Sequence, residues 1–282
     1  IKRPRKIIIL ITAGSAIKAF LKKLVPLLSK GDIIIDGGNS HYKETEKVNS
    51  QLKKKNIYFL GMGISGGDKG ALKGPSLMIG GDEKAYKIVA KDLEKASAKG
   101  VKGKPCCSYL GDRGAGHFVK IIHNGIEYAE MQLIAEIFSL LMETLEGKIN
   151  SIQKELESWQ KSSSESYLLG ITSEILKYEE NNEFFINKIT DSASTRGTGA
   201  WASESGISMG FPNSLMVSAL HARFTSNMKT KRENLSKIIT LKKGDATISV
   251  KKLKIIYDIC RLINHHQGFE MIKNSNQAHG WN

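Results

Sequence analysis

The sequence predicts an α/β fold in which a doubly wound domain is followed by a mainly α-helical one. Two observations lead to this prediction. Short apolar runs alternate with amphipathic helical patterns in the first part of the chain, which is typical of strands that pair in parallel through helical crossovers. Beyond about Gly111 the strand signals fade, and long helical patterns make up the remainder.

The elements follow from the periodicity of the apolar residues. In the first region, strands are predicted over residues 6–12, 33–35, 57–60 and 77–79, and helices over 15–28 and 44–55. In the second region, helices are predicted over residues 115–146, 151–159, 166–179, 211–228 and 250–272. The apolar run from Ile7 to Ile11 follows a basic lead, but it is too short for a secretory signal or a membrane span, so it is expected to be a buried strand.

Composition bounds the function. The chain has 282 residues, of which 40% are hydrophobic and 25% charged, as in globular proteins. Its net charge is +14, which raises the question of a nucleic-acid partner. Only seven of its 42 basic residues are arginines, however, the lysines are dispersed, and no aromatic stacking surface is evident. Nucleic-acid binding therefore ranks last among the candidate functions. Three cysteines without zinc or disulfide spacing indicate a reduced, intracellular protein in which they fill space.

A formal G-x-G-x-x-G is present at Gly61, Gly63 and Gly66. More glycines and Pro75 follow it and exclude the long helix that a dinucleotide fingerprint must open. What the spacing favours is a sharp turn, Ser65–Gly67, where a hydroxyl and bare amides can approach an anion, the alternative being a plain turn. The segment Asp36–Ser40 likewise follows a strand and ends in an amide and a hydroxyl, so it predicts either ligand contact or a simple turn.

The segment after Gly111 is the most informative. On a helix, Lys120, His123, Asn124 and Glu127 fall at i, i+3, i+4 and i+7, so an amine, an imidazole, an amide and a carboxylate share one face. A solvated polar face is the alternative. A partly buried amine can accept a proton, and a carboxyl group two turns away can donate one, which indicates general acid–base chemistry.

Two cations further along the chain suit a phosphate or a carboxylate. Arg196 lies in a glycine-rich stretch that ends at Trp201, and Arg223 is expected at the end of a helix. Each is otherwise an ordinary surface residue. The pair His265 and His266 has no partner at metal-ligand spacing, so no metal is expected.

Several strings resemble the decarboxylating 6-phosphogluconate dehydrogenase family, the NADP-dependent oxidoreductases of the pentose phosphate pathway. The resemblance extends over essentially the whole chain. The H-N-G-I-E-Y continuation after Lys120 separates this family from other β-hydroxyacid dehydrogenases, which share the S-G-G turn. The strings are IIIDGGNSHY, GMGISGGDKGALKGPSLMIGG, CCSYLGDRGAGHFVKIIHNGIEYAEMQLIAE, DSASTRGTGAW and the final GFEMIKNSNQAHGW.

The resemblance implies oxidation of 6-phospho-D-gluconate by NADP to D-ribulose 5-phosphate and carbon dioxide, as part of gluconate utilisation in the cytoplasm. It makes Lys120 the general base and Glu127 the acid that protonates C1 of the enediol. The residues it assigns to the phosphorylated sugar acid are Asn39, Ser65, Gly66, Gly67, His123, Asn124, Tyr128, Arg196, Thr198 and Arg223. Those it assigns to the cofactor are Ile11, Thr12, Ala13 and again Asn39. It implies a homodimer, no metal, no nucleic acid and no membrane.

The resemblance also implies a domain division. Residues 1–113 are expected to form a partial NADP-binding, Rossmann-like domain without its first strand–helix units, and residues 114–282 an all-helical substrate and dimerisation domain that is incomplete at its C-terminus. Both ends look cut, so a piece of a longer polypeptide is expected. Three residues depart from the family: Arg196 and Thr12 each replace a lysine, and Ala200 stands where lysine is common. Arg196 keeps the charge but changes the donor geometry, which bears on affinity rather than chemistry.

Two other functions remain open from the sequence. One is a related β-hydroxyacid dehydrogenase acting on a smaller, unphosphorylated acid, although that substrate gives no reason for Arg196 and Arg223. The other is a truncated, non-catalytic paralogue.

Overall fold

A computed structural model describes residues 2–195, 197–239 and 248–281. The chain divides into two compact units. The first comprises Ile1–Asn124 and Glu270–Asn282, and the second comprises Gly125–Phe269.

A five-stranded sheet forms the centre of the first unit. Its strands lie in the order of the sequence, and they are β1 (Lys6–Ile9), β2 (Ile33–Asp36), β3 (Tyr58–Ser65), β4 (Ser76–Gly81) and β5 (Cys107–Tyr109). β1, β2 and β3 pair in parallel, as do β4 and β5, but β4 runs antiparallel to β3. The expectation of parallel pairing throughout is therefore wrong at β3–β4. The connection there holds only a seven-residue helix, which is too short to carry the chain back for a parallel crossover.

Helices cover both faces of this sheet, and they are α1 (Ser15–Leu24), α2 (Tyr42–Lys53), α4 (Glu83–Ala96) and the start of α5 (Ala115–Thr144). The short helix α3 (Gly67–Lys73) lies in the connection between β3 and β4. The apolar run in β2 shows why. Ile33 and Ile35 point into a cluster with α4, while Ile34 points into the opposite cluster with α1 and α2, and all three are fully buried. A strand that is buried on both faces must be apolar at successive positions, so the predicted doubly wound fold is confirmed.

β1 departs from the expectation of a buried strand. It lies at the edge of the sheet, where Ile9 is only 3% exposed but Ile8 is 50% exposed. The sequence pattern identified the strand and not its edge position.

The second unit is mainly helical, as predicted. It holds the rest of α5, α6 (Ile149–Gln160), α7 (Tyr167–Lys177), α8 (Thr198–Ser208), α9 (Ser214–Ser226), α10 (Lys229–Ser236) and most of α11 (Val250–His279). Trp159, Leu141 and Tyr257 are central to its core. Among the described residues, none of the helices is both long enough and apolar enough to cross a membrane.

Three features of this unit differ from the sequence prediction. A two-stranded hairpin, β6 (Glu179–Glu180) with β7 (Glu183–Phe184), follows α7, so the region is not all-helical and the predicted helix over 166–179 ends earlier. α8 begins in a glycine-rich stretch and α10 is almost entirely polar, and neither was predicted because neither has the apolar spacing of an amphipathic helix.

Candidate active site

Glycines on the sheet let α5 lie directly on its surface. A Cβ atom added at Gly63 would collide with Cβ of Lys120, and one added at Gly61 would lie 2.8 Å from Nδ1 of His117. Gly80 and Gly116 face each other just as closely, backbone against backbone. The absence of side chains at these positions therefore sets the depth at which the first turns of α5 pack.

This packing explains the formal dinucleotide fingerprint. Gly61 and Gly63 lie within β3 and give room to α5, while Gly66, with φ of 141°, makes the turn that ends the strand. The helix that follows, α3, has only seven residues. The prediction that this motif marks a turn rather than a dinucleotide fingerprint agrees with this arrangement, while the packing of α5 against Gly61 and Gly63 was not predicted.

Four polar side chains meet where β3 ends against α5. Ser65 Oγ lies 3.0 Å from His123 Nε2, although the two residues are 58 positions apart. On its other side, His123 Nδ1 lies 3.2 Å from Asn124 Oδ1 and 3.5 Å from Lys120 Nζ. Lys120 and Asn124 are only 8% and 9% exposed. The predicted hydroxyl, imidazole, amide and amine thus form one partly buried cluster, which we call the lysine cluster.

The chemistry of the lysine cluster depends on which nitrogen of His123 carries a proton. Nδ1 can donate to the amide oxygen of Asn124 or accept from the amine of Lys120, but it cannot do both. When Nδ1 donates, Nε2 is left to accept from the hydroxyl of Ser65. The tautomer of the ring therefore decides whether Nδ1 bonds to Asn124 or to Lys120.

The turn after β2 places Asn39 at the carboxyl edge of the sheet. The buried carboxylate of Asp36 accepts hydrogen bonds from the backbone N–H of Gly38 at 2.9 Å and from the hydroxyl of Ser40 at 2.7 Å. These bonds fix the two residues that flank Asn39, which itself stays exposed. A Cβ added at Gly38 would lie 3.0 Å from the carbonyl oxygen of Ile11, so this turn is close to the residues that follow β1.

Those residues are the ones that the family resemblance assigns to the cofactor. Ile11 and Thr12 are exposed and Ala13 is half-buried, directly before α1. In an open α/β sheet, ligands bind outside the carboxyl ends of the strands, where these three residues and Asn39 lie. An accessible backbone with an amide side chain beside it fits the edge of a nucleotide, so the residues present are compatible with their expected role.

A buried pair behind the turn was missed by the sequence analysis. His117 Nδ1 lies 2.7 Å from Thr45 Oγ1 on α2, and both side chains are almost fully buried. Burial lowers the pKa of His117, while Asp36 and nearby backbone carbonyls act in the opposite direction, and the ring is neutral near pH 7. Neither residue has a motif of its own, and only the position of His117 one turn before Lys120 could have drawn attention to it.

A second cluster of predicted residues lies within the second unit. The guanidinium carbon of Arg223 stacks 3.7 Å from the ring centroid of Tyr128. Gly199, in the first turn of α8, backs onto the same ring, where an added Cβ would lie 2.6 Å from two ring carbons. Thr198 begins that helix and is 6% exposed. We call these residues the arginine cluster.

The remaining predicted site residues are placed as follows. Glu127 is half-buried on α5, seven positions after Lys120 on the same helix. Gly66 and Gly67 are exposed at the turn that follows Ser65. Arg196 lies outside the described residues.

The described residues also bear on the sequence predictions for metal ligands and cysteines. Within the described ranges, no group of three or more histidine, cysteine or acidic side chains is arranged to hold a metal ion. Cys107 is buried, and Cys106 and Cys260 are half-buried, as expected of residues that fill space.

Comparison with known proteins begins with the fold. Solved structures of 3-hydroxyisobutyrate dehydrogenases from Mycobacterium tuberculosis and Salmonella typhimurium match 89% of this chain with TM-scores of 0.59 and 0.58 at 16% sequence identity. At that identity the match shows the fold alone. The class of fold is thus a doubly wound α/β domain followed by a helical domain.

Closer relatives narrow this class. A family model described as the NAD binding domain of 6-phosphogluconate dehydrogenase matches residues 1–111, and one described as the C-terminal domain of the same enzyme matches residues 116–282. The chain therefore belongs to the 6-phosphogluconate dehydrogenase family. The decarboxylating 6-phosphogluconate dehydrogenases of Lactococcus lactis and Staphylococcus aureus are each 41% identical over the whole chain.

A solved structure agrees in detail. The 6-phosphogluconate dehydrogenase of Plasmodium falciparum, studied in its apo form and in complex with its cofactor NADP+ and its substrate 6-phosphogluconate, covers 99% of this chain with a TM-score of 0.94 at 34% identity. This chain spans 61% of the length of the bacterial relatives and 62% of the Plasmodium chain. The resemblance found in the sequence is confirmed.

Proposed function

We propose that the protein carrying this chain catalyses the oxidative decarboxylation of 6-phospho-D-gluconate to D-ribulose 5-phosphate and carbon dioxide, with reduction of NADP. The observation that carries the proposal is the lysine cluster, in which Ser65 from β3 reaches His123 beside a buried Lys120. Family membership supports the same reaction.

Lys120 acts as the general base. Its amine takes the proton of the C3 hydroxyl as that carbon is oxidised, and the resulting ammonium then donates to the oxygen on C3 as carbon dioxide leaves and an enediol forms. A lysine suits both steps because its alkyl stem is packed against Gly63 and its amine lies next to His123. The amide of Asn124 and the hydroxyl of Ser65 orient the sugar acid beside it.

Glu127 completes the reaction by protonating C1 of the enediol. It lies two helical turns after Lys120 in the sequence of α5, a spacing that puts an acid and a base on the same face of a helix. The sugar phosphate product is then free to leave.

NADP+, when bound, accepts the hydride from C3 of the substrate. Ile11, Thr12, Ala13 and Asn39 border its site at the carboxyl edge of the sheet. Residues 1–113 contribute this part of the cofactor domain, and residues 114–282 the substrate and dimerisation domain.

The arginine cluster binds the phosphate end of the substrate. Stacking on Tyr128 holds the guanidinium of Arg223 in one plane, and a planar fork matches the oxygens of a phosphate group. Thr198 and Arg196 add a hydroxyl and a second cation. An unphosphorylated hydroxy acid would have no phosphate for these groups to bind.

The protein works as a cytoplasmic homodimer. An apolar stripe on α11 supports assembly, because Ile255, Ile259 and Leu262 lie at spacings of four and three residues and are 50%, 52% and 72% exposed. No nucleic-acid or membrane partner is part of the proposal.

The test replaces Lys120 by alanine in the native protein. Since this chain spans 61% of its bacterial relatives, the intact mass is first compared with the 31.1 kDa of these 282 residues. Lys120→Ala should abolish NADPH formation while 6-phosphogluconate still binds in calorimetry. The matched control is Lys91→Ala, which removes an exposed lysine on α4.

Each other outcome points elsewhere. Turnover retained by Lys120→Ala would refute the assigned base. Equal wild-type rates with an unphosphorylated acid would favour the related dehydrogenase, and binding without any turnover would favour the non-catalytic paralogue.

A further inference from the structure

His117 is a buried titratable group for which the proposed chemistry has no use. It lies one helical turn before Lys120, and its ring lies against three other elements. Its Nδ1 lies 2.7 Å from Thr45 Oγ1 on α2. Gly61 on β3 leaves the space that the ring occupies, since an added Cβ would lie 2.8 Å from Nδ1 of His117 and 2.8 Å from Cγ2 of Thr45.

The third element is the turn that carries Asn39. Asp36, the last residue of β2 before this turn, pairs with Gly61, against which the ring lies. Burial lowers the pKa of His117, while the carboxylate of Asp36 and the backbone carbonyls of Asp36 and Gly38 act in the opposite direction. Nε2 is buried and has no hydrogen-bond partner among the described residues. A neutral ring that carries its proton on Nε2 leaves Nδ1 to accept from the hydroxyl of Thr45.

The ring therefore lies next to the two parts of the candidate site in the first unit, which are Lys120 on α5 and the turn that carries Asn39. Ahead of it along α5 is Lys120, whose depth is set by contact with Gly63. Beside it is Gly38, whose backbone N–H donates a hydrogen bond to Asp36 and which directly precedes Asn39. A shift of the ring would change the position of α5 relative to the turn.

We propose that His117 is a positioning residue: its neutral imidazole ties α2, the turn after β2 and the start of α5 together, and so fixes Lys120 relative to Asn39. This inference rests on the proposed function for its catalytic consequence. A positional error of about 1 Å at a reacting group can cost about 100-fold in rate, so a small displacement of Lys120 relative to Asn39 would lower turnover measurably.

The experiment compares paired substitutions of the two partners. Thr45→Val keeps the shape and removes the hydroxyl, Thr45→Ser keeps the hydroxyl, and His117→Gln keeps a donor near the position of Nε2. Val89→Ala is the matched control, because it opens a cavity under α4 in the same unit without touching the turn. Turnover and hydrogen exchange at the amide of Gly38 are measured on each, with nitrogen NMR of His117 in the wild type.

The expected result has three parts. In Thr45→Val and His117→Gln, kcat falls about tenfold or more and the Gly38 amide exchanges faster, while Thr45→Ser restores both. Val89→Ala lowers the melting temperature without either effect. NMR shows a neutral ring with its proton on Nε2.

If His117 had a purely structural role, its substitution would lower the melting temperature but leave kcat and the exchange of the Gly38 amide unchanged, as in Val89→Ala. That result would overturn the inference. A proton found on Nδ1 by NMR would also overturn it. So would a Thr45→Val protein in which either kcat or the exchange of the Gly38 amide is unchanged. A wild-type protein without turnover would instead reject the proposed function, and the exchange and NMR measurements would then decide the inference alone. Should His117→Gln fail to fold, the two Thr45 variants still decide it.

Discussion

Gly63→Ala tests the idea that a bare backbone on β3 sets the position of Lys120. The new methyl group would collide with Cβ of Lys120, and it would lie 3.1 Å from Cγ of that residue and 3.1 Å from the carbonyl oxygen of Gly116. Carbon atoms pack at about 3.5–4.0 Å, so α5 must move away from the sheet by about 1 Å. The side chain cannot swing aside, because the collision is with its first carbon atom.

Two magnitudes follow from this displacement. Overpacking of a close-packed contact costs about 1–3 kcal/mol of unfolding free energy, which corresponds to a fall of roughly 3–9 °C in the melting temperature. A base displaced by about 1 Å loses about 100-fold in kcat. Binding of 6-phosphogluconate should change much less, since most of its contacts lie elsewhere.

The assay is steady-state NADPH formation together with thermal unfolding followed by circular dichroism. Gly170→Ala serves as the control substitution. It lies inside α7, where the added carbon would meet only the flexible end of Gln160 at 3.1 Å, and alanine favours a helix over glycine. A Gly63→Ala protein with kcat within about twofold of the wild type and an unchanged melting temperature would refute the reasoning, since α5 would then have room that its packing denies it.

Three further substitutions probe other contacts. Arg223→Lys keeps the charge but loses the planar fork held over Tyr128, so the KM for 6-phosphogluconate should rise about 10- to 100-fold while the KM for NADP stays constant; an unchanged substrate KM would remove Arg223 from the phosphate site. Gly199→Ala should displace the Tyr128 ring, on which its Cβ would lie at 2.6 Å, and raise the same KM; a normal KM would show that the ring position is unimportant. Hydrogen bonding to Lys18 is the main reason why the pKa of Glu44 falls from 4.5 to about 2, so Glu44 stabilises the fold above about pH 4.5 and progressively less as the pH falls toward 2. The melting temperature of Glu44→Gln should therefore lie below that of the wild type at pH 7 and approach it near pH 2, and a difference independent of pH would contradict the assignment.

The features that could be predicted from the sequence are those set by residues close to one another along the chain. Ile33, Ile34 and Ile35 predict a strand covered on both faces from their own side chains, because only such a strand needs three successive apolar residues. Lys120 and His123 share a face of α5 because the helical repeat dictates it. These inferences need no knowledge of distant parts of the chain.

Other features could not be predicted because they depend on contacts between distant segments. The direction of β4 is set by a short connection whose geometry is not visible in its apolar pattern. The burial of His117 depends on Thr45, 72 positions away, and on the space left at Gly61. Without those partners, an isolated histidine has no signature in a sequence.

The sequence by itself determined the two-part architecture, the family resemblance, and the turns and helix face that carry the candidate site residues, because each is written in local periodicity or in a contiguous motif. Only the tertiary structure decided that Ser65 reaches His123 and that Arg223 stacks on Tyr128. It also showed that the glycines of an apparent nucleotide fingerprint make room for α5. Those outcomes depend on how closely two backbones approach, and that distance is set by side chains from separate elements packing against one another.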